Sequence, residues 1–384
     1  MKISSLLSVS ALSLSVVGLA NAQNRVYLTG STAFRPATYD ALVSIFDSAP
    51  SIAAYKASTV GSLDPHTAGQ MEFDGNISGA RYIIKCAWSG SEAGVLDLAT
   101  SGKTEAFIDD INVNGVAAIT STSTASATDN HSVDLALADN SQAASKTKTP
   151  QLTGTKVGII PFIWLKNAQT GTPADWARLV NVTHPQLRVA LSGGTKLALI
   201  TGNTADTKFV YVTGRDNNSG TRVNTLADTG YGIRTLVRQT IIGGSSGAPT
   251  LSSLSNNGQS SGGTLATTMT LTGSATAPDT INGGTGWYAI AYVGMYDADV
   301  AIAGGAAGLT LNGVAESTTA IQEGQYSFWG QEWLYQNPTL SSAASTVNTK
   351  LVTAIPVHVD GTHEISLASM NASKSSDTAD PTHN

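Results

Sequence analysis

Two kinds of hydrophobic pattern alternate along this chain. Short, nearly unbroken apolar runs at residues 26–28, 81–88, 157–165, 209–212 and 287–294 predict buried strands. Three of these runs pass into a small polar turn and then into apolar residues at helical spacing. The run 26–28 leads through Thr29 into Gly30-Ser31-Thr32-Ala33-Phe34 and a helical pattern over 39–46. The run 81–88 leads into Ser89-Gly90-Ser91-Glu92-Ala93-Gly94 and then 95–98. The run 209–212 leads into Gly214-Arg215-Asp216-Asn217-Asn218-Ser219-Gly220-Thr221 and a predicted helix over 222–238. Residues 106–110 make a further short strand ending in Asp109 and Asp110. Such alternation argues for an α/β protein with a mainly parallel sheet, with ligands at the C-terminal ends of the strands. Thr183 as cap, Pro185 in the first turn and Gly193 at the end bracket another helix.

The remaining stretches carry weaker patterns. Residues 56–79 read as loop, and 120–155, rich in Ser, Thr, Ala and Lys, as an exposed or poorly ordered insertion. Residues 243–284 read as a second surface insertion, apart from 264–272, whose alternation predicts a hairpin strand. Residues 310–314 predict a small turn-bearing strand, and the aromatic stretch 324–335 predicts core packing. The polar end, 371–384, reads as frayed.

Composition narrows the class. The 384 residues are long enough for two domains, and 41% hydrophobic against 12% charged residues permits a packed core. Met1-Lys2, the apolar stretch 3–19 and Ala20-Asn21-Ala22 form a secretion signal with its cleavage site, so the mature chain begins at Gln23. That apolar stretch is short and Ser-rich for a membrane span, which leaves the mature chain without one. No Cys follows the signal, and the lone Cys86 excludes an internal disulfide. Loss of residues 1–22 removes Lys2 and no acid, so the formal charge moves from −6 to −7. With no Lys/Arg cluster, nucleic-acid binding is disfavoured. His358, His363 and Asp360 are the nearest approach to a metal-ligand group, and they read as loop residues. No nucleophile–base spacing and no cofactor motif stands out.

The turn around Arg215 suits a small tetrahedral oxyanion. Ser219-Gly220-Thr221 at a helix start offers free N–H groups, two hydroxyls and the positive end of the dipole. Arg215 adds a guanidinium fork. The same residues would also serve a plain N-capped helix with Arg215 in solvent. Gly30-Ser31-Thr32 offers a second helix start of this kind, and Ser91 a third.

These blocks resemble the periplasmic phosphate-binding proteins that feed ABC phosphate transporters, of the type II periplasmic binding-protein fold. The densest match is Arg-x-x-x-Ser-Gly-Thr, here Arg215, Ser219, Gly220 and Thr221. Residues 28–34 resemble the family's first phosphate loop, with either Thr32 or Ala33 in the Thr role. Ser91 falls at a phosphate-binding serine, and an ungapped count places Asp109 at the phosphate-contacting aspartate, with Asp110 as the alternative register. Residues 287–294, 309–314 and 324–335 resemble later blocks. Glu92-Ala93 stands where the family has Gly-Gly, which brings an extra carboxylate near the seat.

The resemblance implies two lobes with Ser/Thr/Gly-rich surface insertions. Residues 23–115 plus 295–384 form lobe I, and 116–294 form lobe II with insertions near 120–155 and 243–284. It implies a phosphate-binding set of Ser31, Thr32, Ala33, Phe34, Ser91, Asp109, Arg215, Ser219, Gly220 and Thr221. The carboxylate would accept the proton of phosphate and repel fully ionised sulfate. The implied protein is a monomeric, non-enzymatic solute-binding protein of the periplasm or extracellular space. Its ligand would be inorganic phosphate or a similar oxyanion, and its partner an ABC transporter permease. A secreted structural or adhesive protein that keeps the fold without phosphate transport is the alternative. The Asn217-Asn218-Ser219 sequon favours a compartment without glycosylation, because a sugar there would block the turn.

Overall fold

The computed structural model describes residues 23–56, 61–110, 120–121 and 128–384, so the expected signal segment lies outside the described residues. The strands that frame the site are β1 (Asn24–Gly30), β2 (Ser51–Tyr55), β3 (Gln70–Ile77), β4 (Ala80–Ala87), β5 (Leu135–Ala138), β6 (Thr153–Lys166), β7 (Phe209–Thr213), β8 (Trp287–Gly294) and β9 (Trp329–Gln336). The helices are α1 (Arg35–Ser44), α2 (Ser91–Ala99), α3 (His184–Leu191), α4 (Gly220–Asp228), α5 (Gly262–Met269), α6 (Met295–Ala303) and α7 (Ser342–His358).

The strands join in the order β7-β8-β6-β9-β5-β1-β4-β3-β2. The sheet is mixed, not mainly parallel. Parallel pairing holds β1 to β4, β1 to β5 and β7 to β8. Antiparallel ladders join β2 to β3, β3 to β4, β5 to β9, β9 to β6 and β6 to β8. The 14-residue strand β6 ties the two parallel groups together: its first part pairs with β9 and its last part with β8. All eight residues of β8 are buried, the unbroken apolar pattern of a strand covered on both faces.

The core has two main parts. The larger cluster gathers β1, β3, β4 and β6 with α1 and α7, whose Ala344, Val347, Leu351 and Ile355 fall at helical spacing on one face. A second cluster collects Leu265 and Met269 of α5, Met295, Ala298 and Ala301 of α6, and Trp287, Ala289, Ala291 and Val293 of β8. Leu135–Ala138 pairs with β1, and α6 packs with α5.

Several segments differ from the sequence expectations for local reasons. Residues 70–77 are a full strand paired to β4, in a stretch expected to be loop. Residues 135–138 are fully buried within the expected insertion. Residues 262–269 are helical instead of a hairpin strand. Ser261 caps the helix by accepting from Thr264 N at 3.1 Å, and Leu265, Ala266 and Met269 share the buried face. Helix α4 ends at Asp228, ten residues before the expected end. The helix after Thr183 forms as expected, with a capping box between Thr183 and Gln186.

The C-terminal segment is anchored, not frayed. Lys374 is buried, donates to Trp329 O at 2.9 Å and lies 4.6 Å from that ring's centroid. Asp377 accepts from the amide and hydroxyl of Ser141. Ala372–Ser373 pairs with Thr382–His383. A chain shortened to end at Met370 is expected to lose roughly 2–4 kcal/mol, from a few bonds worth about 1 kcal/mol each and the exposed Trp329 surface. Thermal denaturation checks this, and an unchanged Tm would show that the tail only lies on the surface.

Candidate functional site

Five loops leave the C-terminal ends of parallel strands and meet. They follow β1, β4, β5, β7 and β8. The meeting point is a carboxylate, Asp139, which directly follows β5. Ser91 Oγ, at the start of α2, donates to Asp139 Oδ1 at 2.6 Å. Thr221 Oγ1, in the first turn of α4, donates to Asp139 Oδ2 at 3.2 Å. Asn224 Nδ2 donates to the Asp139 carbonyl at 2.6 Å. Asp139 is 1% exposed and makes no ion pair among the described residues. Burial pushes its carboxyl up to about 6, against the Ser91 bond, the Arg215 charge and the Thr221 bond, which pull it down.

Gly220 permits this approach. A Cβ there would stand 1.5 Å from Asp139 Oδ1 and 2.6 Å from Ser91 Oγ. No other residue type fits between the start of α4 and the carboxylate. Ser219 is the N-cap, its hydroxyl accepting from Arg222 N at 3.2 Å. The turn before it contacts α2 directly, since Glu92 N donates to Asn218 O at 3.0 Å.

Arg215 brings the positive charge. Its guanidinium donates to Gln259 O at 3.2 Å, Ser260 O at 3.0 Å and Thr32 Oγ1 at 3.4 Å. It is buried and makes no ion pair among the described residues. Its backbone is held from both sides. Arg215 N donates to Tyr292 Oη at 3.1 Å, and Arg222 Nη1 donates to Arg215 O at 3.1 Å. Ser31 N donates to Leu137 O at 2.8 Å, which fixes the first loop against β5. Thr32 and Ala33 are buried beside it, and Phe34 lies in the core.

Of the expected residues, Thr32 and Arg215 are in contact, and Ser91, Gly220 and Thr221 surround Asp139, with Ser219 capping the same helix. Ser31, Ala33 and Phe34 form the loop that carries Thr32. Asp109 is not at this seat. Its carboxylate accepts from Thr128 N at 3.1 Å and Thr128 Oγ1 at 2.8 Å, and it borders a separate open cavity with Arg25, Asp110, Thr128, Asp129 and His131. Asp110, the other register, is paired with Arg25 and Lys85, each at 2.6 Å. Asp139, not Asp109, stands beside Ser91 and Thr221 because β5, not the 105–107 strand, lies beside β1. The missed signal was present in Val133-Asp134-Leu135-Ala136-Leu137-Ala138-Asp139-Asn140, an apolar run ending in a polar turn like the other loops.

Two further acids stand nearby. Glu92 is tied to the turn after Asp139: Asn140 Nδ2 donates to Oε1 and Lys146 N to Oε2, both at 2.9 Å. Glu332, on β9, is fully buried, and neither of its oxygens has a hydrogen-bond partner among the described residues. Burial first, then the Asp139 charge, raise its carboxyl well above the usual range. His363 hydrogen-bonds to Asp360 and Asp299, and among the described residues no group of three or more His, Cys, Asp or Glu side chains is placed to hold a metal ion.

The fold has known counterparts. One is a substrate-binding protein assigned to phosphate ABC transport, from Clostridium perfringens, with phosphate bound. It has a TM-score of 0.50 and 13% identity, over 90% of this chain and 100% of that one. An ABC-type phosphate transport receptor from Vibrio cholerae matches with a TM-score of 0.44 and 11% identity, over 85% of this chain and 93% of that one. No protein-family model and no curated protein matches. The chain has a mixed α/β fold resembling that of periplasmic binding proteins.

The buried acid at Glu332 gives a pH test. A carboxyl raised in the folded state stabilises below its unfolded value and loses that contribution as pH rises. E332Q is therefore expected to match the parent's stability near pH 4 and to exceed it by at least about 1 kcal/mol at pH 8, one pKa unit being worth about 1.4 kcal/mol. A stability difference that stays constant across this range, measured by denaturant unfolding, would contradict the assignment.

Proposed function

We propose that this protein captures an oxyanion, inorganic phosphate, at the seat formed by Thr32, Ser91, Asp139, Arg215, Gly220 and Thr221. It acts as an extracytoplasmic solute-binding protein that delivers its ligand to an ABC transporter. One observation carries the reading: among the described residues Arg215 and Asp139 are both buried without an ion pair, the carboxylate held by two hydroxyls at the start of α4 and the guanidinium, from the turn that leads into α4, near enough for its charge to act on that carboxyl. Hydroxyls, helix N–H groups and Arg215 are donors suited to anion oxygens. While ionised, Asp139 can only accept hydrogen bonds, so it selects an anion that brings its own proton. Phosphate carries such a proton near neutral pH and sulfate does not. The signal segment expected at residues 1–22 and the binding-protein fold support an extracytoplasmic place. No helix among the described residues is long and apolar enough to cross a membrane. The arrangement binds and orients; its chemistry is recognition, not turnover.

Calorimetric titration of the mature chain with phosphate tests this directly. Saturable binding is expected, and R215Q should weaken it at least 30-fold, since loss of one partner of a buried charged contact costs about 2–5 kcal/mol. Absence of phosphate binding at millimolar ligand would reject the function. Full affinity in R215Q would reject the site.

Selectivity should follow the state of Asp139. With its carboxyl near 6, the parent is expected to discriminate against sulfate at pH 8 and to lose that discrimination as pH falls below 6. D139N should bind sulfate and phosphate alike at pH 8. Competition binding at the two pH values checks both statements, and a pH-independent preference in the parent would contradict the role of Asp139.

A further inference from the structure

A second buried guanidinium lies beside the first. Arg35 opens α1 and donates from Nε to His66 O at 2.6 Å and from Nη1 to Ala68 O at 3.0 Å. It is 8% exposed and makes no ion pair among the described residues. It lines a narrow cleft with Thr32, Ala33, Gly294, Tyr296 and Asp297. Thr32 is the residue whose hydroxyl receives Arg215, so the two guanidiniums flank the first loop.

Asp297 borders both: it shares the cleft with Arg35 and nears Arg215 at the start of α5. It lies in the first turn of α6 and is buried. A Cβ on Gly262 would stand 1.8 Å from Asp297 Oδ2 and 3.5 Å from Arg215 Nη1, so both side chains reach the bare backbone at the start of α5. Yet Asp297 forms no ion pair with either arginine among the described residues. Two buried cations thus share one unpaired carboxylate. A buried charge without a close partner is costly, and two in one cleft are suited to a shared anion.

We propose that Arg35 is a second guanidinium of the same oxyanion seat and that Asp297 is its internal counter-charge, holding the place of anion charge between Arg35 and Arg215. This rests on the oxyanion-binding reading above and names the preferred ligand more closely. A seat with two positive arms takes a doubly charged, singly protonated tetrahedral oxyanion, such as hydrogenphosphate, over a monoanion. Arg215 and Arg35 meet the two charges, and Asp139 accepts the proton. Asp297 competes with the ligand for both guanidiniums and so lowers affinity.

Phosphate titration of the full mature chain at pH 8, alongside thermal melts, tests the proposal. R35Q is expected to weaken phosphate at least tenfold, and R35K to recover part of that loss, because lysine restores the charge without the fork. D297N is expected to tighten phosphate at least threefold. Two results would overturn the proposal: R35Q binding phosphate like the parent while melting lower, which would make Arg35 a brace for the His66–Ala68 turn, or D297N binding no tighter. Should R35Q fail to fold, D297N decides alone. A parent that binds phosphate and loses it in R215Q but not in R35Q would sink this inference and leave the function standing. A parent that binds no phosphate would sink both.

Discussion

The burial of one carboxylate organises this molecule. Asp139 sits at the start of α4, where Ser91 and Thr221 satisfy its oxygens and Gly220 leaves the room. Taking a carboxylate out of water costs several kcal/mol unless hydrogen bonds and nearby positive charge offset it. Here the offsets come from separate stretches of chain: α2, α4 and the Arg215 turn. Each must be in place for the others to be stable where they are. Burial still holds the carboxyl up to about 6, so these offsets do not cancel its cost in full.

The frame explains how these stretches reach one place. Among the strands that frame the site, parallel pairing joins β1 with β4 and β5, and β7 with β8. Within each group the strands end on one edge, and the three antiparallel steps between the groups make them run in opposite directions. Because the first part of β6 pairs with β9 and its last part with β8, the C-terminal edges of the two groups face each other across the middle of β6, and their loops converge there. The antiparallel strands β6 and β9 lie between the two parallel groups and hold them in one sheet. Both carry large buried side chains, among them Trp164 and Trp329. A rigid apolar frame of this kind keeps a polar cluster in register.

What could be read from the chain follows the range of the interactions. Arg215, Ser219, Gly220 and Thr221 were legible because a strand, a polar turn and a helix start form one continuous local signal. Ser91 and Thr32 were legible for the same reason. Asp139 was not, because its position depends on β5 pairing with β1, more than a hundred residues away in sequence. Counting forward from Ser91 stopped at Asp109, which belongs with Thr128 instead. Compositional bias misled at residues 262–269, where Thr and Gly favour strand or loop, yet the Ser261 cap and the buried Leu265 and Met269 make a helix. It misled again at the C-terminus, where a polar tail is held by the buried Lys374 beneath Trp329. Arg35 and Asp297 were illegible, since nothing local shows that α1 and α6 begin at the same cleft.

The central claim is that an anion is held between Arg215 and Asp139. A crystal structure of the mature protein grown with phosphate tests it most directly. One tetrahedral density is expected within hydrogen-bonding distance of the Arg215 guanidinium, the Thr32 hydroxyl and an Asp139 oxygen, with the Gly220 and Thr221 amides facing it. Density elsewhere, or an empty seat with Ser91 and Thr221 still bound to Asp139 at saturating phosphate, would contradict it.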